Sequence, residues 1–113
     1  MGSPLTTHVL DTATGRPAAG LNLWLERECD GAFVEVARGT TNEDGRVADL
    51  LSPGQLEVGI WRMSFDTGGW FEAAGTTAFY PIVRIVFEVT APSEHHHVPL
   101  LLSPYGYSTY RGS

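Results

Sequence analysis

The stretch Leu21-Asn22-Leu23-Trp24-Leu25-Glu26 places a leucine at every second position of the chain. Side chains alternate between the two faces of a β-strand, so this spacing sends three leucines to one face and predicts a half-buried strand. A second alternating segment, Phe33-Val34-Glu35-Val36-Ala37, follows after a turn at Asp30-Gly31. Two strands joined by a turn indicate a β-rich chain.

Further short segments of the same kind lie towards the C-terminus, separated by glycine and proline. They are Leu56–Phe65, rich in β-formers, Ile82–Val89, with Val83, Ile85, Phe87 and Val89 on one face, His97–Ser103 and Tyr107–Tyr110. Pro99 has no N–H, so its strand is expected at a sheet edge or beside a bulge. One short helix is predicted, from Asp66 or Thr67 to Ala74, ended by Gly75. Seven to eight strands with one helix predict an all-β, two-sheet sandwich.

The chain is short and acidic, which limits the classes of function. Its 113 residues indicate a single domain over 1–113, with residues 1–4 as a flexible N-terminus and a candidate cloning remnant. Thirteen acidic and seven basic residues give a formal net charge of −6. Because no basic patch is present to bind phosphates, nucleic acid is not expected as a partner. An anionic ligand would need a local cluster of arginine and histidine.

The sequence also carries signals about location. No apolar run is long enough for a membrane span or a signal peptide, so no membrane partner is expected and the cytoplasm is the expected compartment. A secretory precursor from which this chain was cut stays open as an alternative. Cys29 is the only cysteine, which makes an intrachain disulfide impossible, and it is expected to be a small buried residue.

The four histidines fall at two places, His8 near the start and residues 95–97 near the end. Histidine titrates near neutral pH and suits proton transfer in hydrolysis. Alternation puts His95 and His97 on one face of a strand and His96 on the other, but spacing alone does not bring His8 to His97. His95 and His97 also have the spacing of a metal-ligand pair, to which His8 would add a third nitrogen. A metal hydrolase is therefore an open alternative, although the cation of Arg46 would repel a divalent ion.

Arg46 and the C-terminus are further candidates. Arg46 follows the turn Asn42-Glu43-Asp44-Gly45, in which Gly45 can adopt a positive φ. It is either a solvated residue at a strand end or a fixed cation with five donors for a planar anionic ligand. The chain ends Tyr107-Ser108-Thr109-Tyr110-Arg111-Gly112-Ser113, with two tyrosines and an arginine where chain ends usually fray.

Three segments taken together resemble the 5-hydroxyisourate hydrolase family. They are Thr7-His8-Val9-Leu10-Asp11-Thr12-Ala13-Thr14-Gly15-Arg16-Pro17-Ala18, Thr40-Thr41-Asn42-Glu43-Asp44-Gly45-Arg46, and His95 through Ser113, with Phe79-Tyr80-Pro81 as a further match. The resemblance spans nearly the whole chain. The closing Tyr110-Arg111-Gly112-Ser113 is its most specific part, because it separates the hydrolases from transthyretin.

The resemblance implies a transthyretin-like sandwich that assembles as a homotetramer, a dimer of dimers with active sites in the channel between them. Motif by motif, it gives catalytic roles to His8, Arg46, His97 and Ser113. It gives substrate binding to His8, Arg46 and Tyr110. His8 and His97 are expected to position and deprotonate water, with Ser113 orienting the pair.

The implied reaction is hydrolysis of 5-hydroxyisourate to 2-oxo-4-hydroxy-4-carboxy-5-ureidoimidazoline, a step of urate degradation. It requires an activated water and stabilisation of the negative oxygen formed on attack. Neither a metal nor another cofactor is required. Arg46 is expected to hold the substrate and its developing charge, and Tyr110 to bind the ring or shape the pocket.

The sequence departs from the family pattern at His96, where the family usually has tyrosine. Alternation turns His96 away from His97, so the departure is expected to change a packing contact and to have little effect on the chemistry. A second open alternative is a transthyretin-like binding protein without activity. Such a protein would share the sandwich and the tetramer but lack the set of histidines, arginine and terminal motif that this sequence carries.

Overall fold

Two β-sheets enclose the apolar core in the computed structural model, which describes residues 2–113. The elements are β1 (Leu5–Asp11), β2 (Arg16–Pro17), β3 (Asn22–Cys29), β4 (Ala32–Thr40), β5 (Arg46–Val47), β6 (Gly59–Phe65), α1 (Thr67–Ala73), β7 (Val83–Val89), β8 (His96–Ser103) and β9 (Gly106–Thr109). Seven of these strands have four residues or more, which confirms the predicted two-sheet sandwich. The two-residue strands β2 and β5 were not predicted.

One sheet has the strand order β4-β3-β6-β7 and is antiparallel throughout. The leucines at 21, 23 and 25 are at most 1% exposed, as their alternation predicts, and Met63 of β6 pairs with Leu25. The turn between β3 and β4 has a positive φ at both Asp30 and Gly31, as a type I′ hairpin turn requires. Cys29 lies beside this turn and is exposed, so the prediction that it is buried is wrong. The hairpin tip extends past the core, and the residues around Cys29 are exposed with it.

The outer face of this sheet carries a paired charge cluster. Both carboxylate oxygens of Glu26 accept hydrogen bonds from the Arg62 guanidinium at 2.8 Å, and Ser64 Oγ donates to the same carboxylate at 2.9 Å. The Arg62 guanidinium also lies 4.2 Å from the centre of the Phe33 ring. The hydrogen bond from Arg62 is the main cause that lowers the pKa of Glu26, against the opposing effect of burial.

The other sheet has the order β2-β1-β8-β9, and β5 pairs with β1 along the same edge as β2. β1 and β8 run parallel, with Thr6 opposite His97 and His8 opposite Pro99. Every other strand pairing in residues 2–113 is antiparallel. The hydroxyl of Thr7 donates to the Val98 carbonyl at 2.6 Å on the core side of this pair. The parallel pair thus joins the two ends of the chain.

Pro99 lies inside this sheet, so the prediction that its strand is an edge strand is wrong: β8 lies between β1 and β9. The Pro99 carbonyl accepts a hydrogen bond from Thr109 Oγ1 at 2.7 Å and therefore faces β9. A residue's N and C=O point to the same side of a strand, so the missing N–H also faces β9. The β9 ladder stops at Thr109, opposite Leu100, and the pairing returns only as a bridge between His97 and Gly112. The proline is tolerated because the ladder is interrupted opposite it.

The predicted helix is confirmed as α1, after β6. Asp66 caps it by accepting a hydrogen bond from the Gly69 N–H at 3.1 Å, and Gly75 follows it with a φ of 73°. Phe71 is buried in the core, and Trp70 Nε1–H donates to the Ala19 carbonyl at 2.7 Å. No helix within residues 2–113 is long and apolar enough to cross a membrane.

Residues 3 and 4 are held against the domain, although a flexible segment was predicted over 1–4. Ser3 is buried, and its hydroxyl donates to the Leu5 carbonyl at 2.6 Å and accepts from the Leu51 N–H at 3.1 Å. The Pro4 carbonyl accepts from the His96 N–H at 2.9 Å. The β1–β8 pairing therefore extends back to these two residues, and the flexibility of the segment stays a prediction. Met1 lies outside the described residues.

Candidate active site

The candidate residues gather on the outer face of the parallel pair. In β1, residues 5, 7, 9 and 11 face the core, so Thr6 and His8 face outwards. In β8, His97 faces outwards beside Thr6, its partner in the register. The pairing brings His8 and His97 onto one face although they lie at opposite ends of the sequence.

Arg46 is brought to this face by the turn before it. Gly45 has a φ of 75°, and a Cβ at this position would lie 2.4 Å from the Val9 carbonyl oxygen, so only glycine fits. Asn42 Oδ1 accepts the Arg46 N–H at 3.0 Å. The Val9 N–H donates to the Gly45 carbonyl at 2.8 Å, which makes His8 and Arg46 a non-hydrogen-bonded antiparallel pair. Side chains approach most closely in such pairs, so His8 and Arg46 are close neighbours on the outer face.

Thr6 links two of the histidines through its hydroxyl. Thr6 Oγ1 lies 2.8 Å from His97 Nδ1 and 2.8 Å from His95 Nε2. The outward alternation of His95 and His97 is thereby confirmed. With Nδ1 engaged, Nε2 is the nitrogen of His97 that remains for a ligand or water.

The burial of His97 and the charges around it favour its neutral form. Burial is the main cause that lowers the pKa of His97, and the neighbouring Arg46, His8 and His95 lower it further. A hydrogen bond with the backbone of Thr6 opposes them. A neutral imidazole beside a fixed guanidinium is suited to accept a proton while the cation holds an anion.

The C-terminus reaches the same place through Gly112. Its N–H donates to the His97 carbonyl at 2.9 Å. A Cβ on Gly112 would lie 2.4 Å from His97 Cδ2, so the absence of a side chain leaves room for the imidazole. Ser113 follows directly and is exposed. The terminal motif therefore lies against the His97 ring.

Tyr110 occupies a neighbouring groove. Its side chain is 59% exposed, and the groove between β7 and the C-terminal segment is lined by Phe87, His97, Tyr110 and Arg111, among others. His97 is the residue that this groove shares with the outer face. Within residues 2–113, no side-chain hydrogen bond connects Tyr110, Ser113 or Arg46 to either candidate histidine.

His96 points into the domain, as alternation predicts. It is 5% exposed, and its Nδ1–H donates to the Glu94 carbonyl at 2.8 Å. The residue that departs from the family pattern therefore has a structural contact of its own and lies on the opposite face from His97.

The metal alternative gains no support from this geometry. In the described part of the chain, no three His, Cys, Asp or Glu side chains are arranged to hold a metal ion. His95 Nε2 and His97 Nδ1 each form a hydrogen bond with the Thr6 hydroxyl, so neither nitrogen is free to bind a metal ion in this arrangement.

Thr6 and Gly112 are the site residues that sequence reasoning missed. Thr6 lies two positions before His8, so alternation alone indicates that the two share a face. In the sequence, Gly112 is distinguished only as part of the terminal motif. Its role depends on its bridge to His97, which no local pattern indicates.

A sandwich in which the first long strand runs parallel to the penultimate one, with histidines on their outer face, defines a transthyretin-type domain. The chain belongs to the HIUase/Transthyretin family, whose model matches residues 5–112. It is 49% identical to a 5-hydroxyisourate hydrolase of Mus musculus, over 98% of this chain and 96% of the relative. It is 48% identical to one of Mesorhizobium japonicum, over 99% of this chain and 94% of the relative.

Solved structures give the same grouping. A 5-hydroxyisourate hydrolase of Klebsiella pneumoniae superposes with a TM-score of 0.84 and 38% identity, covering 96% of this chain and 98% of the other. Sea bream transthyretin in complex with thyroxine superposes with a TM-score of 0.90 and 31% identity, covering 96% of this chain and 94% of the other.

Proposed function

We propose that this protein hydrolyses 5-hydroxyisourate at the amide of its six-membered ring. The product is 2-oxo-4-hydroxy-4-carboxy-5-ureidoimidazoline, an intermediate of urate degradation. The observation that carries the proposal is the meeting of His8, Arg46 and His97 on one outer face. The relatives named as 5-hydroxyisourate hydrolases, at 48–49% identity over nearly the whole chain, support it.

The chemistry follows from the ionisation of these groups. His97 Nε2 takes a proton from a water molecule as that water attacks the ring carbonyl carbon. The Arg46 guanidinium stabilises the negative charge that develops on the carbonyl oxygen. The C–N bond then breaks, and the departing nitrogen takes the proton from the His97 imidazolium. Protons and charge therefore balance without a covalent intermediate on the protein.

The remaining residues have supporting roles in the proposal. His8 lies beside Arg46 and provides a second ring for holding the water or the substrate. Ser113 follows Gly112 at the His97 ring and orients the water between the histidines. Tyr110 packs against the flat substrate from the neighbouring groove.

We further propose that a homotetramer, a dimer of dimers, completes the site. Arg46 is exposed and the outer face is open in one subunit, so a second subunit is needed to exclude water from the substrate. β7 and β9 are edge strands of the two sheets, and Val86, Tyr107 and Tyr110 near these edges are all more than 40% exposed. Unpaired strands with exposed large apolar residues favour pairing with another copy. Light scattering behind gel filtration would give a mass of four chains, and a monomer at micromolar concentration would refute this assembly.

The cytoplasm remains the proposed location. The exposed, unpaired Cys29 is compatible with a reducing compartment. Fractionation of source cells, followed by detection of the protein in the soluble cytosolic fraction, tests this directly.

The decisive test of the activity is direct. Urate oxidase generates 5-hydroxyisourate in the cuvette. The absorbance of this compound decays slowly without a catalyst. Addition of the purified protein should accelerate the decay, and His97→Asn should abolish most of that acceleration. His96→Tyr is the matched control, since residue 96 faces the core and tyrosine is the family's usual residue there. A decay rate that the wild-type protein leaves unchanged would refute the activity and favour a binding protein.

A further inference from the structure

We propose that Thr6 is a positioning residue, whose hydroxyl, backed by His95, fixes the tautomer of His97 that leaves Nε2 free as the base. This inference rests on the proposed function. It stands on one geometric observation, the equal 2.8 Å distances from Thr6 Oγ1 to His97 Nδ1 and to His95 Nε2.

A hydroxyl has a single proton, so Thr6 can donate to only one of the two rings. If it donates to His97 Nδ1, then His97 carries its own proton on Nε2 and cannot act as a base there. If it donates to His95 Nε2, then it accepts from His97 Nδ1–H and leaves Nε2 unprotonated. Of these two directions, the second, from His97 through Thr6 to His95, gives an active base.

His95 decides between these directions. Neutral His95 with its proton on Nδ1 presents Nε2 as an acceptor, which draws the Thr6 proton away from His97. Protonated His95 has no acceptor on its ring and donates from Nε2, so it no longer draws the Thr6 proton away from His97, and the tautomer of His97 is no longer fixed. His95 is exposed to solvent.

The arrangement has the logic of a triad in which a histidine takes the place of the carboxylate. A group behind a catalytic imidazole fixes its tautomer and orientation, and the wrong tautomer is very costly to the rate. After burial, Arg46 from β5, His8 from β1 and His95 lower the pKa of His97. Glu88 of β7, Tyr110 and Arg111 line the groove on its other side. Within residues 2–113, no carboxylate is among the causes that shift the pKa of His97, so the Thr6 hydroxyl, backed by His95, is the side-chain acceptor behind the ring, next to the hydrogen bond with the Thr6 backbone.

The hydroxyl is tested by Thr6→Val, which keeps the shape of the side chain, with Thr6→Ser as the matched control. Thr6 is half-buried on the outer face, so neither change empties the core. We expect Thr6→Val to lower kcat by about tenfold or more with little change in KM. Thr6→Ser should stay within about threefold of the wild type, since it keeps the donor and acceptor. Wild-type kcat in Thr6→Val would overturn the inference.

His95→Gln tests the hydrogen bond between Thr6 and residue 95, because the glutamine amide oxygen accepts a hydrogen bond but does not titrate. At neutral pH kcat should stay within about threefold of the wild type, because the acceptor is kept. Its activity should persist to lower pH, because protonation can no longer remove the acceptor at residue 95. An acid limb identical to that of the wild type would overturn the part assigned to His95.

Nitrogen NMR of the His97 ring gives a readout that does not depend on turnover. Neutral His97 should carry its proton on Nδ1 in the wild type and in Thr6→Ser. In Thr6→Val the proton should move largely to Nε2. If the wild-type protein leaves 5-hydroxyisourate untouched, the proposed function fails while this measurement still tests the tautomer. A proton on Nε2 of wild-type His97 overturns the positioning role in either case.

Discussion

The outer faces of the two sheets both carry an arginine beside other polar groups, but they treat its charge in opposite ways. On the β3–β6 face, Arg62 is held by both oxygens of Glu26, and the side chains of the pair are only 19% and 10% exposed. On the β1–β8 face, Arg46 is exposed, its neighbours are histidines, and it forms no salt bridge within residues 2–113. The charge of Arg62 is neutralised by a carboxylate of the same chain, whereas the charge of Arg46 remains available to a group from outside the chain.

This difference matters because the protein as a whole carries a formal charge of −6. An anion approaching such a surface is repelled at long range, and only a local concentration of positive charge can hold it. A carboxylate partner for Arg46 would cancel that charge and raise the pKa of His97. Within residues 2–113, Arg46 has no salt-bridge partner, and this is what makes the face suitable for an anionic substrate.

The largest effect should come from removing the unpaired charge. Arg46→Ala is expected to lower kcat/KM by a factor of about 10²–10³, because the removal of one preorganised donor to a developing negative charge typically lowers the rate by that factor. The fold should be unaffected, since the side chain is exposed. Arg16→Ala is a matched control, because Arg16 is also exposed and lies in a two-residue strand on the same edge of β1. Wild-type turnover of 5-hydroxyisourate by Arg46→Ala would remove Arg46 from the mechanism.

The next effect should come from crowding the His97 ring. Gly112→Ala places a methyl group 2.4 Å from His97 Cδ2, so the ring must shift. We expect a loss in kcat of about tenfold or more, since small misplacements of a reacting group are costly. Gly106→Ala is the control, because the nearest atom to its Cβ would be Ser103 Oγ at 3.6 Å, an ordinary contact. Equal activities of the two variants, measured in the same decay assay, would argue against this role.

A substitution in the paired charge cluster should change the stability of the protein and not its activity. Glu26→Gln is expected to lower the free energy of unfolding at pH 7 by about 1–3 kcal/mol, because it leaves a largely buried guanidinium without its counter-charge. The folded-state pKa of Glu26 is lowered, so its contribution is present above the unfolded value of 4.5 and disappears as the pH falls through the folded one. Urea unfolding at several pH values should show the two proteins converging in acid.

A control for that measurement lies on β4, where Glu35 and Arg38 form an exposed pair. Glu35→Gln should change the unfolding free energy little, because exposed pairs contribute little. A loss as large as that of Glu26→Gln would show that burial does not distinguish the two pairs.

The smallest effect should be a shift in ionisation. The cation of Arg46 is one of the causes that lower the pKa of His97, after burial, so Arg46→Gln should raise that pKa. The base would then be protonated at a higher pH, and the acid limb of kcat/KM should move upwards. Arg46→Lys keeps the charge and should leave the limb in place. Titration of the His97 ring by NMR checks the direction, and a downward shift in Arg46→Gln would contradict it.

The local parts of the fold were predictable because their causes lie close together in the sequence. Alternating leucines at 21–25 fix one buried face, Asp66 and Gly75 delimit the helix, and Gly45 marks a turn. Pro99 was misplaced because its tolerance depends on where β9 ends. Cys29 was misplaced because burial near a turn depends on how far the hairpin extends past the core.

The site was predictable only in part for the same reason. Resemblance pointed to His8, Arg46 and His97, but residue spacing cannot predict a contact such as that between Thr6 and His97, which are 91 positions apart. The roles of Thr6 and Gly112 depend on neighbours across strands, and no local pattern reports those. The sequence also could not show that Arg46 lacks a salt-bridge partner, because this depends on where the folded structure places each acidic side chain.

The parallel pairing of β1 with β8 has a consequence for biosynthesis. His8 leaves the ribosome early, but its partner His97 is 91 positions away from Thr6 in the neighbouring strand, so no shorter nascent chain can hold the assembled catalytic groups. Until β8 has emerged, β1 lacks a neighbour on one side, and its backbone groups are free to pair wrongly. A sheet that pairs strands so far apart in sequence should form late in synthesis, and slowly for the size of the domain.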